Sequence, residues 1–167
     1  MKMVRLGPMS WNDRQAAMAD PQSPSDARQE SWVRVGASNL ENGAEAFNQA
    51  LGNLQLPEPP RLLIVFAAPH YDLAQLSHGL SEQLPGCELV GCTTSGEIAA
   101  GHALTQSLVL WALGGTGVRV STGFGESNGQ GLRQAAVQAA GCLERLERRR
   151  NTVLVLLSDG LGGDQME

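Results

Sequence analysis

At 167 residues with a formal net charge of -5, the chain has the size of one domain that can bury its own core, and its acidic balance argues against a nucleic-acid partner. Three cysteines, Cys87, Cys92 and Cys142, form neither an even disulfide framework nor a zinc-ligand spacing. Reduced thiols in a cytoplasmic protein, with no bound metal, are therefore expected. No residue run is apolar and long enough to span a bilayer, and Lys2 and Arg5 precede no apolar signal segment, so no membrane partner is expected.

Residues 1–29 lack a sustained hydrophobic period and carry the polar run Asp20-Pro21-Gln22-Ser23-Pro24-Ser25-Asp26. They read as a flexible N-terminal extension, and residues 30–167 as the folded α/β part. Trp32, Val33 and Val35 mark a first strand, closed by Gly36-Ala37-Ser38-Asn39. Asn42 and Glu45 have capping-box spacing, and Phe47, Ala50, Leu51 and Leu54 follow on one helical face. Pro57, Pro59 and Pro60 end that helix. Leu62 to Ala68 is continuously apolar, as expected of a central strand covered on both faces. Pro69-His70-Tyr71 turns the chain, Asp72 and Gln75 cap a second helix, and Tyr71 is placed to staple onto Leu76. Leu73, Leu76, Leu80 and Leu84 predict its buried stripe, with His78 on the solvent side.

Cys87 to Cys92 predicts the next strand, running into a loop over Gly91–Glu97. Ser107 to Leu113 and Val118 to Thr122 read as two strands around Gly114-Gly115-Thr116-Gly117, which predicts an antiparallel hairpin. Ser127 or Asn128 would cap a long helix with Leu132, Ala136, Ala139, Leu143 and Leu146 on its apolar face. The Arg148-Arg149-Arg150 cluster then complements its C-terminus. Thr152 to Leu157 predicts a last strand, ending in Ser158-Asp159-Gly160-Leu161-Gly162-Gly163. Asp164 and Glu167 again have cap spacing, so this unit echoes Leu62 to Gln75 and reads as the start of a duplicated second unit, incomplete at the C-terminus. The fold class expected is α/β: a mixed, mostly parallel sheet flanked by helices, with an antiparallel hairpin.

The segment richest in chemistry is Leu89-Val90-Gly91-Cys92-Thr93-Thr94-Ser95-Gly96-Glu97-Ile98, where an apolar strand runs out into small hydroxyl and glycine residues and an acid. Small residues admit a ligand close to the backbone, and hydroxyls offer both hydrogen-bond senses. In open α/β sheets ligands bind outside the carboxyl ends of strands. The candidate ligand-binding residues are therefore Cys92, Thr93, Thr94, Ser95, Gly96 and Glu97, joined by His70 and Asp72 of the preceding strand-to-helix loop and by Asp159. Each has a plainer alternative: Cys92 as a small core residue, Glu97 bonded to its own loop, His70 in a capped surface turn, Asp159 as a turn former. No activating base can be placed beside Cys92 or the hydroxyls, so no catalytic residue is assigned, and a nucleophilic Cys92 defines the enzyme alternative. Gly160, Gly162 and Gly163 lack the lysine and spacing of a phosphate loop.

The stretch "FAAPHYDLAQLSHGLSEQLPGCELVGCTTSGEI" resembles the N-terminal region of FIST sensory domains, most specifically in Gly91–Glu97. The blocks "VRVGASN", "VRVSTGFGE" and "VLVLLSDGLGGDQME" follow that pattern collinearly, so the resemblance runs from about Trp32 to Glu167. It implies a non-enzymatic signal-transduction input domain that binds a small-molecule ligand such as an amino acid. It also implies an output partner, a histidine kinase or another signalling protein. The alternative within the family is a haem-binding nitric-oxide sensor acting on a histidine kinase or cyclic-dinucleotide enzyme, in which His70 or His102 would lie near the haem.

Overall fold

The computed structural model describes residues 31–126, 131–146 and 151–158. Residues 1–29, the Ser127 or Asn128 cap, the arginine cluster, Asp159 and the helix start expected at Asp164 lie outside these residues. The described chain is a mixed α/β fold. A four-stranded sheet has the order β1 (Ser31–Ser38), β6 (Leu108–Gly115), β2 (Leu62–Ala67), β3 (Glu88–Thr93). A separate two-stranded ribbon pairs β4 (Glu97–Ala99) with β5 (His102–Leu104). β2 and β3 are parallel, and β6 runs antiparallel to both β1 and β2. β1, β2 and β3 therefore point the same way, with β6 inserted against them.

Helix α1 (Gly43–Asn53) connects β1 to β2, and α2 (Leu73–Gln83) connects β2 to β3. Both crossovers step in one direction along the sheet, so crossovers of the same hand put both helices on one face. The burial pattern agrees. Leu63, Val65 and Ala67 of β2 and Leu108, Leu110 and Ala112 of β6 share that face. They form one core with Ala46, Phe47, Ala50 and Leu54 from α1 and around it, and with Leu76 and Leu80 of α2. Gly36 lets α1 sit directly on β1: a Cβ there would lie 2.0 Å from the carbonyl oxygen of Ala50. Each helix starts as its spacing predicts. Asn42 Oδ1 accepts from the amides of Ala44 and Glu45 at 3.0 and 3.1 Å. Asp72 Oδ1 accepts from Ala74 and Gln75 at 2.9 and 3.1 Å. The α2 stripe is narrower than expected, however. Leu76 and Leu80 are buried and Leu84 is half-buried, but Leu73, at the first position of the helix, is 36% exposed.

The second face of the sheet carries Val33, Val35, Trp111, Phe66, Val90 and Cys92 beside Ile64 and Val109. Ile64 and Val109 are buried, whereas Val33 and Val35 are 44% and 45% exposed.

Three expectations are corrected. Val118 to Thr122 forms no strand, so the hairpin across Gly114–Gly117 does not exist. Both sides of β6 are taken, by β1 and β2, and a hairpin partner needs a free side. The hairpin present is β4–β5, with a two-residue turn at Ala100 and Gly101, both at positive φ (49° and 81°), the signature of a type I′ turn. Thr152 to Leu157 is likewise not a strand among the described residues: Val153, Leu154, Val155 and Leu156 are 85%, 65%, 59% and 71% exposed. Finally, α3 (Leu132–Ala140), continued by a 3₁₀ turn over Gly141–Arg145, does not bury Leu132, Ala136 or Leu143. It packs through Ala135, Ala139 and Cys142 against residues 121–126, where a Cβ on Gly123 or Gly125 would strike the Ala139 or Ala135 carbonyl oxygen. Close backbone approach selects small residues on both sides, and the leucines face outward.

Candidate functional site

The parallel register decides which loops meet. Ala67 pairs with Thr93, so the loops that follow β2 and β3 leave the sheet side by side at its carboxyl edge. The amide of Thr94 donates to the Ala67 carbonyl at 3.0 Å, and the amide of Ala68 donates to the Ser107 carbonyl at 2.9 Å. The same edge receives the end of β1 and the head of β6, since Ser38 pairs with Leu108.

The candidate residues divide into two sets. Thr93, Ser95 and Gly96 are exposed, as are His70 and Asp72. These form the accessible polar rim, although Asp72 also holds the α2 cap. The His70 ring lies against that of Tyr71, centroids 3.9 Å apart and tilted 39°. Cys92 belongs to the other side of the strand: it is opposite Phe66, half-buried on the second face of the sheet, one residue short of the edge. Among the described residues no His/Cys/Asp/Glu cluster of metal-binding size is present.

Thr94 and Glu97 turn inward. Glu97 is only 4% exposed, and rather than continuing a loop it opens β4. Its Oε1 accepts from the Thr94 hydroxyl. Its Oε2 accepts from the Ser107 hydroxyl at 2.5 Å and from the Ser107 amide at 3.3 Å. A buried carboxylate is tolerable when its lone pairs are matched by donors, and here they are. Of the two readings of Glu97, the bonded one describes this arrangement, with side-chain hydroxyls supplying most of the donors.

Tyr71 completes the buried polar group. Its hydroxyl lies 2.6 Å from the Leu40 carbonyl and 3.3 Å from that of Gln106. Burial raises its pKa, and the nearby Glu97 charge raises it further. The staple role expected of Tyr71 thus understates it, since its polar tip ties the β1–α1 loop to the segment between β5 and β6. Ser107 and Gln106 were not legible as site residues. Ser107 is one hydroxyl at the start of an apolar run, and Gln106 stands at φ 52°, a backbone state that few non-glycine residues adopt.

The loops over 38–42, 68–72 and 93–107 contain Glu41, Asp72, Glu97 and two histidines but no Lys or Arg. Among the described residues, these loops thus present hydroxyls, carbonyls and acids without a fixed cation. His70 and His102 are exposed. The groove of about 520 Å³ lies elsewhere, between α1 and α2, over Phe47, Asn48, Gln75, Leu76 and His78. His78 there is exposed, as its helical position predicts, and sits 3.6 Å from Glu82. No helix among the described residues is long and apolar enough to cross a membrane.

No curated protein matches the chain. Among solved structures it is similar to FtsZ from M. jannaschii. A point mutant aligns at 17% identity and TM-score 0.34, covering 51% of this chain and 27% of that one. An empty dimer aligns at 15% identity and TM-score 0.33, covering 55% and 32%. The match thus spans about a third or less of the length of those structures. The FIST N domain family matches residues 61–167, from the strand β2 onward and through both candidate loops. That is more than half of the sequence, and the chain belongs to the FIST family of sensory signal-transduction domains.

Proposed function

We propose that this domain binds a small polar ligand at the carboxyl edge of β2 and β3 and passes occupancy to a separate output protein, such as a histidine kinase. The observation that carries the reading is the convergence of the two candidate loops, through the Ala67–Thr93 register and the Thr94–Ala67 hydrogen bond, at the edge where open α/β sheets hold ligands. Exposed Thr93, Ser95 and Gly96 would contact the ligand, with His70 across the edge. A rim that, among the described residues, offers hydroxyls and acids without Lys or Arg suits a ligand with an ammonium group, such as an amino acid. Cys92, on the other face of its strand, is a packing residue in this reading.

The test is thermal unfolding of the full chain with each of the common amino acids. A ligand at a hundred times its Kd stabilises by about 2.7 kcal/mol, a rise of roughly 5–10 °C in Tm. Thr93→Val with Ser95→Ala should remove that rise while leaving the unliganded Tm unchanged. The reading is wrong if no amino acid raises Tm, or if the paired variant responds as the parent does.

A further inference from the structure

We propose that the β4–β5 hairpin is a strap closed over the carboxyl edge, with the Glu97 carboxylate as its latch, and that it opens locally without unfolding the sheet. The hairpin has little to hold it on its own account. It consists of two three-residue strands, whereas an isolated two-stranded ribbon is marginal in water. Ile98 is 79% exposed, and His102 and Ala103 are exposed as well. Its turn places Ala100, a residue with a Cβ, at positive φ. Glu97 and Ala99 are buried, at 4% and 8% exposure, where β4 packs against β6 and β1, and Leu104, opposite Glu97, is half-buried and is the one large apolar side chain on that face of the hairpin.

What the strap covers is polar. Ser107 is fully buried and its hydroxyl donates to Glu97, while Tyr71, 5% exposed, donates to the Gln106 carbonyl in the segment that returns from β5 into β6. The latch is therefore a set of hydrogen bonds to a charged group rather than an apolar seal. Each of those donors can turn to water once the strap lifts, so opening leaves no polar group stranded. Local openings of this kind are expected where few apolar contacts anchor an element. With the strap closed, Glu97 and Ser107 are out of a ligand's reach. With it open, an acid and three hydroxyls, those of Thr94, Ser107 and Tyr71, line the same edge as Thr93 and Ser95. The functional meaning of the strap rests on the ligand reading above, but its mechanical behaviour does not.

Amide hydrogen exchange of the full chain, followed across a series of low denaturant concentrations, tests it. The amides of residues 97–104 and of Ser107 should exchange roughly tenfold or more faster than those of β2 and β6, and with little denaturant dependence. Glu97→Ala should speed the hairpin amides by a further tenfold or so and leave β2 and β6 within about threefold. Thr94→Val, which removes one donor and keeps the shape, should give a smaller change in the same amides and serves should the alanine variant not fold. Exchange of the hairpin at the rate and denaturant dependence of β2 and β6 would overturn the proposal. So would hairpin rates unchanged in both variants. Because no ligand is present, either failure would leave the thermal-shift result standing.

Discussion

Glu97, Gly36 and Cys87 show how far a single side chain, or its absence, governs this molecule. Glu97 stands in a sequence context of small hydroxyl residues that suits a ligand contact equally well, yet it is buried by the strand it begins. Gly36 leaves no alternative: its missing Cβ is the space occupied by the Ala50 carbonyl of α1. Gly36→Ala must push a helix backbone off a strand, and should cost about 1–3 kcal/mol, the usual range for overpacking, read as a fall in the urea midpoint with an unchanged slope. Cys87 offers a pH test. Burial, with Glu88 adding to it, pushes its thiol up to about 11 from 9.0. The folded thiol thus keeps its proton through a range where the unfolded one loses it. The unfolded state then binds fewer protons, so stability falls as pH rises from about 9 to 11. Tyr71, also raised, adds to the loss at the upper end. A denaturation series from pH 8 to 11 should show the decline, and Cys87→Ser should flatten its lower part. At pH 8 Cys87 should react with a thiol reagent roughly a hundredfold more slowly than an unperturbed cysteine, since the thiolate is the nucleophile.

The elements behave according to what their ends and neighbours allow. α1 and α2 are legible because each starts on an Asn or Asp whose oxygen accepts two amides, and each is followed by a proline, Pro57 or Pro85, shortly after its last turn. Asn42→Ala and Asp72→Ala should each cost about 1 kcal/mol, measurable by chemical denaturation. The Asp72 variant also bears on function. It removes a carboxylate from the proposed rim, so a weaker ligand shift beyond the loss in Tm would show that the cap contacts ligand as well. α3 defeats pattern reading. Its leucines have helical spacing, but its partner is the glycine-bearing segment 121–126, which it meets through Ala135, Ala139 and Cys142. The β4–β5 hairpin escapes for the opposite reason: three residues per strand are too few for alternation to emerge, and Ala-Gly is a weak turn signal beside Asn-Gly.

Across the whole molecule, apolar cover is uneven. The face under α1 and α2 is closed, while the opposite face leaves Val33 and Val35 nearly half exposed, and Val153 to Leu156 lie in solvent. Exposed apolar runs of β-forming residues favour self-association. Val153→Lys with Val155→Lys should therefore lower light scattering on concentration and dye binding to apolar surface. Cooperative unfolding should be unchanged, because neither residue is packed. Increased scattering, or a fall in Tm, would show that these valines are buried against something in solution.

Much of the architecture could be read before any coordinate. The first three strands, the two capped helices between them and the shared edge of their loops follow from short-range chemistry: apolar runs, cap spacing, proline stops. The match of the FIST family to residues 61–167 agrees with the motif at Gly91–Glu97. Strand order was not legible. That β6 enters between β1 and β2 is a long-range pairing, and it denies Val118 to Thr122 the partner its own pattern requests. In the inner half of the site Thr94 and Glu97 were legible as candidates, but their grouping with Tyr71 and Ser107 was not. Tyr71, Thr94, Glu97 and Ser107 are spread over 37 positions of sequence, and only the return of the chain from β5 into β6 brings the last of them to the carboxylate. Local sequence states which side chains can donate and accept; tertiary structure decides which of them meet, because a hydrogen bond depends on distances of a few ångströms that no spacing along the chain encodes.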